Sequence, residues 1–132
     1  MLVVIVDGAN VMGSRPDGWW RDRAGAAGRL HRDLVAAELR LSCDEVVLIL
    51  EGQARGGPPA GHHGRVQTVH APGSGDDSIV EHAAARSSAG DQVVVVTADR
   101  ELRQRVAAVG ASVVGPAWLL RRMRDGGHRT TN

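Results

Sequence analysis

Apolar residues fall along this chain in two rhythms. Four short runs rich in β-branched residues are nearly unbroken: 3–6 (Val-Val-Ile-Val), 46–50 (Val-Val-Leu-Ile-Leu), 93–96 (four Val) and 112–114 (Ser-Val-Val). They do not alternate with polar residues, which suits strands buried on both faces of a parallel sheet. Residues 65–70 (Arg-Val-Gln-Thr-Val-His) alternate weakly and predict an edge strand. Between the runs the period changes to three or four. Trp20, Ala24, Ala27, Leu30, Leu34, Ala37 and Leu41 form one stripe, the mark of a long amphipathic helix. Ile79, Val80, Ala83 and Ala84 make a second stripe; Leu102, Val106 and Val109 a third; Trp118, Leu119 and Met123 a short fourth. Strands alternating with helices predict a three-layer α/β/α domain around a central, mostly parallel sheet. Residues 52–64 hold five Gly and two Pro and predict a surface loop. One domain over residues 1–124, followed by a polar tail at 125–132, accounts for the pattern.

Length agrees: 132 residues carry one core. The longest apolar run spans six residues, against about 20 for a membrane-spanning helix. No basic stretch precedes the first strand, so a secretory signal is not expected and the cytoplasm is the expected location. The single cysteine, Cys43, excludes an internal disulfide and a cysteine-based zinc site, and is expected to be an inert buried thiol. A net charge of +1 is not that of a uniformly basic nucleic-acid binder. The charge is uneven, however: residues 1–99 carry 9 Arg against 13 acids, and residues 100–132 carry 7 Arg against 2. All 16 cations are arginine, whose planar fork suits phosphate.

In an open parallel sheet, ligands gather at the carboxyl ends of the strands. Four of the five predicted strands exit into a carboxylate. The first leads into Asp7-Gly8-Ala9-Asn10, the second into Glu51-Gly52, the 65–70 strand into Gly73-Ser74-Gly75-Asp76-Asp77, and the 93–96 run into Thr97-Ala98-Asp99-Arg100. Singly, each has a structural explanation as a turn or a helix cap; Ser74 followed by Asp77 starts like a capping box. Together, acids crowded on one rim repel each other, and a divalent cation relieves that repulsion. Oxygen ligands without paired thiols suit Mg²⁺ or Mn²⁺. Such an ion neutralises charge that develops during phosphodiester hydrolysis. Asp7, Asp76 and Asp99 are the expected metal ligands and catalytic acids. Glu51 and Asp77 are expected to act beside them, directly or through water, and Asn10 to hold a water or an Asp carboxylate.

Other chemistries fit poorly. A Walker A motif lacks its lysine, since the chain has none. Residues 73–78 come near a dinucleotide fingerprint but place two acids where pyrophosphate needs bare N–H groups. His62 and His63 have no partner at zinc spacing and read as a solvated pair.

The sequence resembles the NYN branch of the PIN-like metal-dependent ribonucleases, and within it the YacP-like proteins. The resemblance rests on residues 6–13 (Val-Asp-Gly-Ala-Asn-Val-Met-Gly), 48–52 (Leu-Ile-Leu-Glu-Gly), 75–81 (Gly-Asp-Asp-Ser-Ile-Val-Glu), 95–102 (Val-Val-Thr-Ala-Asp-Arg-Glu-Leu) and 110–115 (Gly-Ala-Ser-Val-Val-Gly). It spans residues 2–122. It implies a PIN-like fold and endonuclease activity on RNA, and by matching position it implies that Asp7, Asp76 and Asp99 are the family acids, with Asn10 and Thr97 beside them. Some YacP-like proteins are similar to ribosome-associated mRNA endonucleases, which brings in the ribosome as a partner. One departure stands out: Glu51 occupies a position where the family usually has Asp.

RNA approaching an acidic rim needs cations nearby. Arg100 and Arg103 follow the last acid, Arg15 follows the first, and these are the expected phosphate contacts. Arg121, Arg122, Arg124 and Arg129 make a basic C-terminal end. Of the Trp19-Trp20 pair, Trp20 lies on the helical stripe and is expected in the core; Trp19 lies off it and is expected as an exposed ring on which a base stacks. The competing readings are a PIN-like module that binds RNA or the ribosome without cutting, and a toxin-type PIN nuclease.

Overall fold

The computed structural model describes residues 1–129, with side chains through Arg124. Six strands form one sheet: β1 (Leu2–Asp7), β2 (Glu45–Leu50), β3 (Gly61–His63), β4 (Val66–His70), β5 (Gln92–Val96) and β6 (Ser112–Val114). Their order across the sheet is β3-β4-β2-β1-β5-β6. Every pairing is parallel except β3 with β4. Helices α1 (Gly8–Gly13), α2 (Arg23–Ala36), α3 (Gly75–Ser88), α4 (Arg100–Ala108) and α5 (Pro116–Arg129) complete the domain.

Alternate residues of the central strands feed two cores. Val4, Val6, Leu48 and Leu50 pack with Val11 and Met12 of α1, Leu30 and Leu34 of α2, and Leu119 and Met123 of α5. Val3, Ile5, Val47 and Ile49 pack with Ile79 and Ala83 of α3 and with Leu102 and Val106 of α4. Strands buried on both faces need no polar alternation, so their sequence runs are continuous. The predicted α/β/α layering is therefore the observed one.

Local departures have identifiable causes. The long helical stripe is divided: Trp19–Arg21 form a 3₁₀ turn, and Asp22 then caps α2, its carboxylate accepting from Gly25 N at 2.9 Å. Gly18 enters that turn with φ +73°, a left-handed geometry suited to glycine. The predicted 52–64 loop contains a 3₁₀ segment (Gly52–Gly56) and the short strand β3, so β3 takes the edge expected of β4. Helix α1 follows β1 without a connecting loop. The stretch read as a polar tail begins inside α5, which runs on to Arg129; residues 130–132 lie outside the described residues.

At the amino ends of the strands, Arg86 from α3 reaches Glu45 of β2 and Asp91 before β5. This clamp ties three elements together at the end of the sheet remote from the acidic strand exits. Cys43 is buried, and burial pushes its thiol pKa up, as expected of an inert cysteine. No described helix is long and apolar enough to cross a membrane.

Candidate active site

The parallel register brings the carboxyl ends of β1, β2, β4 and β5 to one rim. The chain leaves β1 toward β2 and β4 on one side and later returns to β5 on the other, so the rim sits at a topological switch point. Asp7 lies at its centre. The last residue of β1, it is only 6% exposed, and it caps α1 by accepting from Asn10 N at 3.3 Å. Its other oxygen accepts from the buried Thr97 hydroxyl at 2.8 Å. Burial, with smaller contributions from the charges of Asp76 and Glu51, pushes the Asp7 pKa up to about 6 against the lowering by these two hydrogen bonds.

Thr97 and Asn10 build the frame around it. The Thr97 oxygen also accepts from Asp99 N at 3.2 Å, and Asn10 Oδ1 accepts from Ala98 N at 2.8 Å. The turn after β5 is thus fastened to the turn after β1. Asp99 is exposed and caps α4, accepting from Leu102 N at 2.9 Å. Glu51 is half-buried and accepts from Gly75 N at 2.8 Å, fixing the start of α3. A Cβ at Gly75 would lie 3.0 Å from the Glu51 carboxyl carbon, so the absence of a side chain permits this approach. Asp76 is half-buried on the first turn of α3. Burial and then the charges of Asp99 and Glu51 raise its pKa, with Arg105 opposing.

Asp7, Glu51, Asp76 and Asp99 therefore form one electrostatic group, as the strand exits predict. Asp77 stands apart from that grouping. Its side chain is 65% exposed and pairs with Arg105 of α4 at 2.9 Å. Adjacent positions on a helix point about 100° apart, so α3 cannot aim both aspartates at one point. The partner Arg105 was not distinguished from its neighbours by sequence spacing.

As a divalent-cation site, the rim fits in donor type and charge: hard oxygens and raised carboxyl pKa values. Among the described residues, however, no three carboxylate or imidazole side chains are gathered closely enough to hold a common ion.

The expected RNA contacts divide. Arg100 and Arg103 are exposed on α4 beside Asp99, with no ion-pair partner among the described residues. Arg15 is engaged, its guanidinium held by Asp33 of α2 at 2.5 Å in a groove lined also by Pro16, Arg29 and Arg32. The tryptophans reverse their expected places. Trp20 is 56% exposed, whereas Trp19 is half-buried and packs against the α1–α2–α5 core. The 3₁₀ turn breaks the helical phase on which the opposite assignment rested.

Trp19 instead lines a cleft of about 500 Å³ beside the rim, with Ala9 and Met12 of α1, Arg23, Glu51, Gln53 and Gly73. The Arg23 guanidinium lies 5.4 Å from the Trp19 ring centroid, and Trp20 meets it edge-on at 6.0 Å.

No protein-family model matches the sequence, and no curated protein matches it. Solved structures do match the fold. Rae1 (YacP) from Bacillus subtilis superposes with a TM-score of 0.80 at 20% identity, covering 99% of this chain and 78% of that one. The W164L mutant of the same protein gives 0.79 at 21% identity, covering 98% and 79%. The chain has the fold of Rae1 (YacP) over almost its whole length.

Proposed function

We propose that this chain is a YacP-like, metal-dependent endoribonuclease. The observation that supports the reading most directly is Asp7. A buried carboxylate held between Thr97 and Asn10 is costly to ionise, and the charges of Asp76 and Glu51 add to that cost. A fold that concentrates negative charge in this way is matched to a cation. The shared fold with Rae1 (YacP) points the same way.

Asp7, Asp76 and Asp99 would hold Mg²⁺ or Mn²⁺. Bound there, the ion supplies charge neutralisation at the phosphoryl oxygens and a Lewis acid for water. The chain's own groups do the rest. Thr97 fixes the orientation of the Asp7 carboxylate and, through Asp99 N, the turn that carries Asp99. Asn10 locks that turn to α1. Arg100 and Arg103 attract the RNA backbone to a rim that would otherwise repel it, which makes binding salt-dependent and only weakly sequence-selective. The RNA substrate is mRNA, with the ribosome as the partner that presents it.

The lack of three converged acids favours a second reading, an RNA-binding module that does not cut. One experiment separates them: a labelled single-stranded RNA incubated with Mn²⁺, beside EDTA and beside Asp99→Asn, then repeated with mRNA on translating ribosomes. Cleavage by the wild type with metal alone supports the nuclease. Binding without cleavage in both settings supports the module.

A further inference from the structure

The cleft between Trp19 and Glu51 is not used by any step above, yet it opens from the same rim. Its walls combine an indole, a guanidinium, a carboxylate and backbone amides. Ala9 of α1 places one wall two residues from Asp7, and Gly73 places the other three residues from Asp76. At about 500 Å³ it lies within the size range of small-ligand sites and admits one nucleoside. We propose that this cleft is a nucleobase subsite, selective for guanine, that receives an unpaired base of the RNA next to the bond cut at the rim.

The proposal rests on the endoribonuclease reading and adds a base preference to it. Aromatic rings and Arg planes are the usual platforms for unpaired bases. Trp19 packs against the core and lines the cleft, so the ring is in place before a base arrives. Selectivity follows from Glu51. Its Oε2 holds Gly75 N at 2.8 Å, which fixes the carboxylate and leaves Oε1 to accept further hydrogen bonds. A carboxylate accepts and does not donate. Guanine alone among the four bases presents two adjacent donors, N1–H and the N2 amine. Adenine and cytosine set a ring-nitrogen acceptor beside their amino group, and uracil flanks its single N–H with two carbonyls. Arg23 supplies a donor for the guanine O6 or N7.

The test is ¹H–¹⁵N NMR of the whole chain in EDTA, where no cleavage occurs, titrated separately with 5′-GMP, 5′-AMP, 5′-CMP and 5′-UMP. The expected result is that 5′-GMP shifts the Trp19 indole and the Gly52 and Gly73 amides, and saturates at least about tenfold more tightly than 5′-UMP. Glu51→Gln should erase the preference for 5′-GMP. Trp19→Leu should weaken all four nucleotides by about tenfold, the loss of one stacked base. If that variant is poorly folded by circular dichroism, Arg23→Gln, at an exposed position, should still weaken 5′-GMP. Equal saturation by the four nucleotides, or shifts confined to other tryptophans, overturns the subsite. RNA cleavage with Mn²⁺ but no 5′-GMP shift in the cleft removes the subsite and leaves the nuclease. Guanine binding without cleavage does the reverse.

Discussion

Replacing Asp7 by Asn should make the protein more stable at neutral pH and no more stable in acid. The native carboxyl has a pKa of about 6 against 3.8 for the free side chain. The folded state therefore holds this proton more tightly than the unfolded state between those values. Stability linked to Asp7 is fully present below pH 3.8, is lost as the pH rises through about 6, and stays lost above. A shift of about two units corresponds to ~3 kcal/mol. Asparagine has the shape of the protonated acid and can still accept from Asn10 N, so it mimics the low-pH wild type. In EDTA at pH 7.5 the variant should gain ~2–3 kcal/mol, a rise in Tm on the order of 10 °C for a chain of this size. At pH 4 the two proteins should melt together. Thermal unfolding of both across this range, read as the difference in Tm at each pH, is the assay; other carboxylates titrate in both proteins and largely cancel. A variant that is less stable by the same amount at every pH would refute the reasoning, because Asp7 would then be a structural hydrogen-bond acceptor without an ionisation penalty. RNA cleavage by the variant should be abolished at every pH.

Other expectations are equally direct. Mn²⁺ at a hundredfold excess over its dissociation constant should stabilise the wild type by about 2.7 kcal/mol and shift Asp7→Asn much less; equal shifts by differential scanning fluorimetry would place the ion elsewhere. Asp76→Asn should lose cleavage by at least about a hundredfold, a step the size of other lost charge-stabilising contacts, while Asp77→Asn should stay within about tenfold of wild type. Loss of the exposed Asp77–Arg105 pair should cost under ~1 kcal/mol in urea unfolding. A methyl group at Gly8 would lie 2.5 Å from the Ile49 carbonyl oxygen and 2.8 Å from Leu50 Cδ2, so Gly8→Ala should destabilise by ~1–3 kcal/mol in the same assay.

Most of the sheet was legible in the sequence because double-sided burial leaves a simple trace. β1, β2, β5 and β6 coincide closely with the unbroken apolar runs. The acids could be placed for the same reason, since parallel strands share one carboxyl rim. What escaped the sequence depends on contacts between distant segments. Helix α1 is six residues with a glycine at each end, a poor helix by propensity. It exists because Asp7 caps it and because Gly8 allows it to approach β2. Strand β3 is Gly-His-His, and only its pairing with β4 makes it a strand. The exchange of Trp19 and Trp20 came from a turn whose phase a helical stripe does not record. The pairing of Asp77 with Arg105, 28 residues further along the chain, leaves no trace in local spacing.

The sheet ends on both sides in strands of only three residues, β3 and β6. Each outer edge offers few free backbone donors and acceptors, and neither is a template for an added strand. The protein is thereby guarded against stacking edge-to-edge into fibrils at high concentration. It is also closed to recruitment by peptides that bind through strand addition. Any macromolecular partner must be met by helices and loops, whose contacts can be altered one side chain at a time without disturbing the sheet.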